Sequence, residues 1–570
     1  MAAAGVECEM FTVALPADAF AGVRLESSAV ARMRDGTRLV ADIYCPDGAG
    51  PWPVLLMRQP YGRDIASTVV YAHPTWFARR GFLVVVQDVR GRGDSEGTFH
   101  AFRNEIEDGF DTVAWAAALP GSNGRVGMYG FSYQGSTQLL AALARPPALR
   151  ALAPHMTAFD LYSGWFYRDG ILQLSTTLAW ANQMLREDAR RAASPATAAL
   201  EESWLAPGGL SPALPVRDIA PIVDPTLPAY AAEWLRHPSY DAYWQGLDLL
   251  AQIDVLQLPM FHLSGWHDLY LRGSVDGYVA AATTHPDQFL LASPWVHIPW
   301  GRQSGGADFG PAAVPAVDEM LAAWFHHWLD HEQPHGEPPL RGCRYFSMGD
   351  NQWHDSPCWP PRETRECSWF LQSGGRANSR FGDGRLSREE ACGPDDLFNY
   401  DPEVPVLAPG GNHGGTALFG PHDLSAQQQG NNLLVYTSAP LGSPLRVAGR
   451  ATCELHVRSS APCTDFVVRL SRVTLDDRAI FLTLGAARVE SNGRARVVRV
   501  RLDPTALRFA SGDRIRIDIA SSAFPLLIRN PNTGGDPAAV RSPTEFRRAL
   551  QVVYHDRDRA SRLVLPIIEN

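Results

Sequence analysis

Spacing of apolar and polar residues divides the chain into three textures. From about residue 22 to 155, short apolar runs alternate with helical patterns. Val54-Leu55-Leu56-Met57, Phe82–Val86 and the neighbourhood of Ala151-Leu152-Ala153 are uninterrupted apolar stretches, as expected for strands buried on both faces of a parallel sheet. Asn104 to Leu119 and Gln134 to Ala144 carry apolar residues at helical spacing, so the region predicts βαβ architecture. Between about 156 and 251 the chain turns aromatic, alanine-rich and helical, with Trp165, Phe166, Tyr167, Trp180 and Trp204, the texture of an inserted helical cap. Strand-like runs return at Met260–Leu263 and Phe289–Ala292, and Val317 to Trp328 reads as a helix. From Cys367 to Asn570 short alternating runs, such as Thr452–Val457 and Arg514–Ile519, are separated by Gly, Pro and Asn turns, which predicts a β-sandwich or jelly roll. The expected organisation is an α/β domain over 1–155 and 252–362, interrupted by a cap over 156–251 and followed by an all-β domain over 363–570.

Composition narrows the function. At 570 residues the chain exceeds a single hydrophobic core, and 45% hydrophobic with 20% charged residues is ordinary soluble globular make-up. A net charge of −10 offers no basic face to nucleic acid or to an anionic membrane, so neither is an expected partner. All 51 basic residues are arginine. The absence of lysine excludes Schiff-base and pyridoxal-phosphate enzymes, P-loop NTPases and kinases, each of which needs a lysine at a defined place. The eight cysteines show no C-x-x-C pair and no zinc spacing and read mostly as free thiols. Six of them fall in the last 230 residues, which leaves room for a disulfide there. His327 and His331 stand at i, i+4, but no HExxH-type carboxylate accompanies them and no metal is expected. The N-terminus has no basic segment followed by a long apolar one, and no run approaches the ~18 apolar residues of a membrane span. A cytoplasmic, reducing location is the default expectation.

The most informative stretch is Gly130-Phe131-Ser132-Tyr133-Gln134-Gly135, between the apolar run Val126–Tyr129 and the helical pattern Thr137–Leu143. A serine on a strand-to-helix turn with glycines beside it is how an α/β-hydrolase presents its nucleophile. Taken alone the letters also suit a Gly/Ser loop, because the second glycine comes one residue later than in G-x-S-x-G. In such folds an acid and a histidine follow the serine in chain order, at the ends of later strands. Asp268, just past the run Met260–Leu263, and His297, just past Phe289–Ala292, occupy such places. A serine hydroxyl needs a base to take its proton, and the imidazole needs a fixed tautomer, so the three residue types fit acyl transfer. His262 and His267 read as packing residues, and Arg90-Gly91-Arg92-Gly93-Asp94 as a tight turn after a strand. Tyr61, in a Gln-Pro-Tyr-Gly turn, would by itself read as a surface turn aromatic.

Further motifs extend this pattern over nearly the whole chain. They are Arg34–Leu39 with Asp42-Ile43-Tyr44, Gln59-Pro60-Tyr61, Asp88–Gly97, the elbow as G-x-S-Y-x-G, Gly265–Asp268 and Pro294–His297. In the last third Thr464-Asp465-Phe466, Ser521–Pro525 and Asn530–Gly535 continue it. In these residues the chain resembles the CocE/NonD hydrolases, the group of cocaine esterases, α-amino-acid ester hydrolases and X-Pro dipeptidyl-peptidases. The resemblance implies an α/β-hydrolase domain with an inserted helical cap, plus a C-terminal β jelly-roll domain of galactose-binding-like type. It implies Ser132 as nucleophile, His297 as general base and then acid, and Asp268 as the carboxylate that orients the imidazole. It also implies an oxyanion hole made by the Tyr61 hydroxyl and the backbone N–H of Tyr133, and no cofactor.

For the substrate, Trp165, Phe166, Trp180 and Tyr270 are candidates for an apolar or aromatic acyl pocket, although helix packing accounts for many such residues equally well. The resembling α-amino-acid ester hydrolases carry acidic residues two and three positions after the aspartate; this chain has Tyr270 and Leu271 there, which speaks against an amino-acid ester. The expected protein is a serine hydrolase that cleaves a small-molecule ester or amide through a covalent acyl-enzyme. Alternatives are an X-Pro dipeptidyl-peptidase, an acyltransferase on a biosynthetic substrate, and a carbohydrate-binding protein with an inert hydrolase domain. Oligomeric state stays open, with a homodimer as one option.

Overall fold

The computed structural model describes residues 20–569, apart from 65–67, 206–212, 333–335, 391–392 and 409–419. Ten strands form the first sheet: β1 (Val23–Arg32), β2 (Arg38–Pro46), β3 (Trp52–Gln59), β4 (Leu83–Asp88), β5 (Ser122–Phe131), β6 (Leu149–His155), β7 (Met260–Gly265), β8 (Gln288–Ser293), β9 (Gly342–Ser347) and β10 (Gln352–Ser356). They lie in the order β1-β2-β4-β3-β5-β6-β7-β8-β9-β10. From β4 to β9 every pairing is parallel, while β1, β2 and β10 join antiparallel at the edges.

The apolar runs take this form because both faces of the sheet are covered. In β3, Val54 and Leu56 pack with Leu139 and Leu140 of one helix, whereas Leu55 and Met57 pack with Trp324 and Phe325 of another. Successive side chains of a strand alternate between faces, so an unbroken apolar run feeds two cores at once. The covering helices are α1 (Glu105–Ala117), α2 (Tyr133–Leu143) and α6 (Val317–Leu329), each within a few residues of its predicted span.

The chain leaves the sheet after β6 and returns at β7. In between lie a π-helical turn at Tyr162–Phe166, α3 (Leu174–Arg191), a helix at Thr197–Leu205 and α4 (Tyr230–Arg236). Their aromatic residues form one cluster: Phe166 stacks on Trp234 at 4.5 Å and Trp180 stacks on the same ring at 4.9 Å. α5 (Leu271–Thr284) follows β7. Beyond β10 the described residues form eleven strands between Thr364 and Ile568, with only two 3₁₀ turns among them, at Pro537–Ala539 and Pro543–Glu545. Leu455, Val457, Phe466, Val468, Leu470, Ile515 and Ile517 are wholly buried in its core, the inward half of the alternating runs. The α/β-hydrolase architecture with a helical cap and a C-terminal jelly roll is therefore the one expected from sequence.

Polar contacts join the three parts. Arg272 of α5 and Arg501 of the β domain both bind Asp169 of the cap, at 2.7 and 2.9 Å, and cap residue Arg168 binds Asp503 at 2.6 Å. Among the described residues no helix is long and apolar enough to cross a membrane.

One charge pair lies inside the α/β core. Arg58 of β3 and Glu105 of α1, at most 2% exposed, meet at 2.7 Å, and the Tyr133 hydroxyl donates to the other Glu105 oxygen at 2.9 Å. Deleting the carboxylate leaves a buried guanidinium without its counter-charge, which costs about 3–5 kcal/mol. Glu105→Ala is expected to lower the urea midpoint of unfolding markedly. Glu107→Ala, on the same helix but 71% exposed at its side chain, should leave that midpoint unchanged.

Candidate active site

β5 ends at Phe131 and α2 begins at Tyr133, so Ser132 alone makes the reversal, at φ 60° and ψ −129°. Non-glycine residues rarely occupy that region, and it persists only where neighbours hold it. Here the Ser132 N–H donates to the His155 carbonyl at the end of β6 (3.0 Å), and Gln134 Oε1 accepts the Phe131 N–H (3.2 Å). The flanking glycines leave no space for a side chain. A Cβ on Gly130 would stand 2.5 Å from that of Gln134, and one on Gly135 would stand 2.8 Å from the Thr157 side chain. The late second glycine of the motif thus marks where α2 crosses the chain leaving β6.

Asp268 lies in the loop after β7 and His297 in the loop after β8. Their hydrogen bond, Nδ1 to Oδ1, is 2.6 Å long, and the Asp268 side chain is fully buried. Asp268 Oδ2 also accepts the Tyr270 N–H at 3.2 Å, so both oxygens are engaged. A carboxylate oxygen accepts; Nδ1 therefore carries the proton and Nε2 keeps a free lone pair. The imidazole packs against Phe131 at 5.4 Å and edge-on to Tyr270 at 5.1 Å, which sets it beside the Ser132 turn.

Tyr61 follows β3, and its backbone N–H donates to Gln59 Oε1 at 2.8 Å. Its hydroxyl accepts a hydrogen bond from the Trp180 indole N–H at 3.3 Å, and the Ser132 side chain neighbours it. Burial of that hydroxyl pushes it up to about 12, so the phenol stays protonated. Tyr133 opens α2, where the first N–H groups have no intrahelical acceptor. Its side chain is anchored separately, accepting the Phe102 N–H at 2.9 Å and donating to Glu105.

Of the four aromatic candidates, Trp165 and Tyr270 stack at 4.0 Å, and Trp165 meets Trp180 at 5.3 Å. Phe166 belongs to the same cluster, 6.2 Å from Trp165 and 6.1 Å from Trp180, and is wholly buried and stacked on Trp234. Phe102 and Phe131, which no sequence motif singles out, join the cluster through Trp180 and His297. A cavity of about 60 Å³ touches Asp268 and is walled by all three parts of the chain, including Arg168 and Gln173 of the cap and Phe481 and Leu484 of the β domain. Among the described residues, no group of three His, Cys, Asp or Glu side chains could hold a metal.

Two family models match the chain. Residues 35–299 match the X-Pro dipeptidyl-peptidase (S15 family) model, and residues 338–564 match the X-Pro dipeptidyl-peptidase C-terminal non-catalytic domain. Cocaine esterase of Rhodococcus sp. is 32% identical over 574 residues, which cover 95% of this chain and 98% of that protein. The chain belongs to the CocE/NonD family of serine hydrolases. Solved structures agree in fold. An aminopeptidase from the archaeon Thaumarchaeota archaeon superposes with a TM-score of 0.80 at 23% identity, covering 98% of this chain and 100% of that one. A CocE/NonD hydrolase from Staphylococcus aureus gives 0.70 at 16% identity, over 96% and 94% of the two chains.

In this family member three further histidines lie in or beside the strands that frame the site. Burial holds His155 at about 3, His262 at about 4 and His267 at about 3, so all three are neutral. The unfolded chain takes up these protons below pH ~6.5, whereas the folded chain refuses them until far lower pH. The associated stability is fully present above pH ~6.5 and is lost as pH falls from there toward 4, at up to about 1.4 kcal/mol per pH unit for each histidine. Melting temperature should fall steadily over that window, and His262→Gln should flatten the slope.

Proposed function

We propose that this serine hydrolase is an esterase or amidase with Ser132 as nucleophile, His297 as general base and acid, and Asp268 as the orienting carboxylate. The observation that carries the reading is the 2.6 Å bond from a fully buried Asp268 to His297, beside a serine held in a strained strand-to-helix turn. In acylation His297 Nε2 takes the Ser132 proton as Oγ attacks the carbonyl carbon. The carbonyl oxygen becomes negative between the Tyr61 hydroxyl and the Tyr133 N–H. Collapse expels the alcohol or amine, which receives its proton from His297, and water then releases the acid by the same steps in reverse.

An uncharged or aromatic acyl group is the favoured substrate. Trp165, Trp180 and Tyr270 surround the site with apolar surface, and neither Tyr270 nor Leu271 offers a charge for a substrate ammonium. Cocaine esterase is by name an esterase, which supports ester over amide. The S15 match favours release of Xaa-Pro dipeptides as the second reading. A reducing, cytoplasmic location accompanies the first reading and is supported by six free thiols among the described residues.

Hydrolysis of p-nitrophenyl acetate, butyrate and benzoate, compared with Xaa-Pro p-nitroanilides, distinguishes the two readings. Ester turnover is expected, and Ser132→Ala should lower kcat by a factor on the order of 10⁴ or more. Preference for the Xaa-Pro amides would overturn the substrate assignment, and undiminished turnover in Ser132→Ala would overturn the whole reading. Tyr61→Phe should reduce kcat by about 10² to 10³.

A further inference from the structure

Helix α3 crosses the site with Trp180, Met184, Asp188 and Arg191 along one face, at the i, i+4, i+8 and i+11 spacing of a helix. Arg92, from the Arg-Gly-Arg-Gly-Asp turn after β4, is wholly buried against that face. It donates to both Asp188 oxygens at 2.7 and 3.1 Å and to the Met184 carbonyl at 3.2 Å, while its guanidinium lies 3.8 Å over the Phe99 ring. Tyr230 of α4 donates to the same Asp188 carboxylate at 2.6 Å. Arg191 donates to the carbonyls of Gly93 and Ser95 in that turn. At the other end of the helix, the N–H groups of Leu174 and Ser175 donate to the Leu526 and Pro525 carbonyls of the β domain, at 2.8 and 3.1 Å. The helix is therefore pinned at both ends, and Trp180 projects from between the pins to the Tyr61 hydroxyl.

An indole N–H can only donate. Where Trp180 donates, the Tyr61 oxygen has to accept, and the single phenolic proton is left to turn away from the indole, toward an acceptor in the site. We propose that Trp180 is a positioning residue of the oxyanion hole: the cap helix, held in register by the Arg92–Asp188 bridge, aims the Tyr61 hydroxyl at the oxygen that becomes negative. The inference rests on the assignment of Tyr61 as an oxyanion donor in the preceding section. A donor aimed before the reaction needs no reorganisation as charge develops, the condition under which such groups contribute most. It also gives the Arg90–Asp94 turn a role beyond reversing the chain, because Arg92 and the carbonyls of Gly93 and Ser95 set where α3 sits.

The test is kinetic and uses the full chain in four forms: wild type, Tyr61→Phe, Trp180→Phe and the double variant. For each, kcat and KM with p-nitrophenyl acetate are measured together with inhibition by phenylboronic acid, which forms a tetrahedral adduct at an active serine. Trp180→Phe keeps an aromatic ring of smaller size and loses the donor. It is expected to lower kcat about tenfold with KM within about twofold, and to weaken the boronate by a similar factor, as for one hydrogen bond lost in the transition state. In the Tyr61→Phe background the same change should do nothing further. Trp180→His, which retains a ring N–H, should keep more of kcat than Trp180→Phe and serves if the phenylalanine variant does not fold. Wild-type kcat in Trp180→Phe alongside a loss in Tyr61→Phe would overturn the inference and leave the oxyanion assignment standing. An equal loss in both backgrounds would overturn it too, since it would assign Trp180 to pocket packing. No effect of Tyr61→Phe itself would remove the assignment on which the inference depends.

Discussion

The reversal at Ser132 is the constraint around which the molecule is arranged. A serine at φ 60° is a strained residue, costing of order 1–3 kcal/mol, and the turn exists because its surroundings leave no alternative. β6 supplies the His155 carbonyl to the Ser132 N–H, Thr157 closes against Gly135, and Gln134 caps the Phe131 N–H. Beneath them Arg58, Glu105 and the Tyr133 hydroxyl tie β3, α1 and the first turn of α2 into one buried polar chain. Such a chain is stabilising only when every member is paired, so the geometry of the turn and the integrity of the core are the same requirement.

Burial then sorts the protonation states around that turn. Asp268 is enclosed, and each of its oxygens accepts one hydrogen bond, from a ring nitrogen and from a backbone N–H. His155, His262 and His267 are enclosed without a carboxylate partner and stay neutral. None of these three therefore brings a positive charge beside Asp268 and His297. Tyr61 is kept protonated by the same physics, and a neutral phenol is the form that can donate.

Three parts of the chain are needed to complete this environment. The α/β sheet places Ser132, Asp268 and His297 just past the ends of β5, β7 and β8, the cap brings Trp165 and Trp180, and the β domain holds the start of α3 through the Pro525 and Leu526 carbonyls. Asp169 and Arg168 of the cap are bound by or to Arg272, Arg501 and Asp503, so the three parts share one ionic junction close to the loop of Asp268. A pocket wall assembled from separate parts can vary in acyl preference while the sheet-borne groups stay in place.

Much of this is legible in the amino-acid sequence. Unbroken apolar runs encode β3 to β8 because each strand feeds two cores, and helical periodicity encodes α1, α2 and α6. Gly130, Ser132 and Gly135 mark the elbow because a strand-to-helix reversal between packed elements demands small residues there, and Asp268 and His297 are found by standing just past strand ends. The aromatic texture of the cap is equally legible, but which of its rings reaches the Tyr61 hydroxyl, Trp180 rather than Phe166, is not. Tertiary structure alone decides the pairs Arg92–Asp188, Trp180–Tyr61 and Arg58–Glu105, whose members lie 96, 119 and 47 residues apart. Local periodicity reports which face of an element is apolar; it carries no information on which distant polar group will meet another once the faces have packed. The sequence by itself thus determined the sheet, the reversal and the residue types at the strand ends, whereas the orientation of the hydroxyl facing Ser132 arises only when cap, sheet and β domain close on one another.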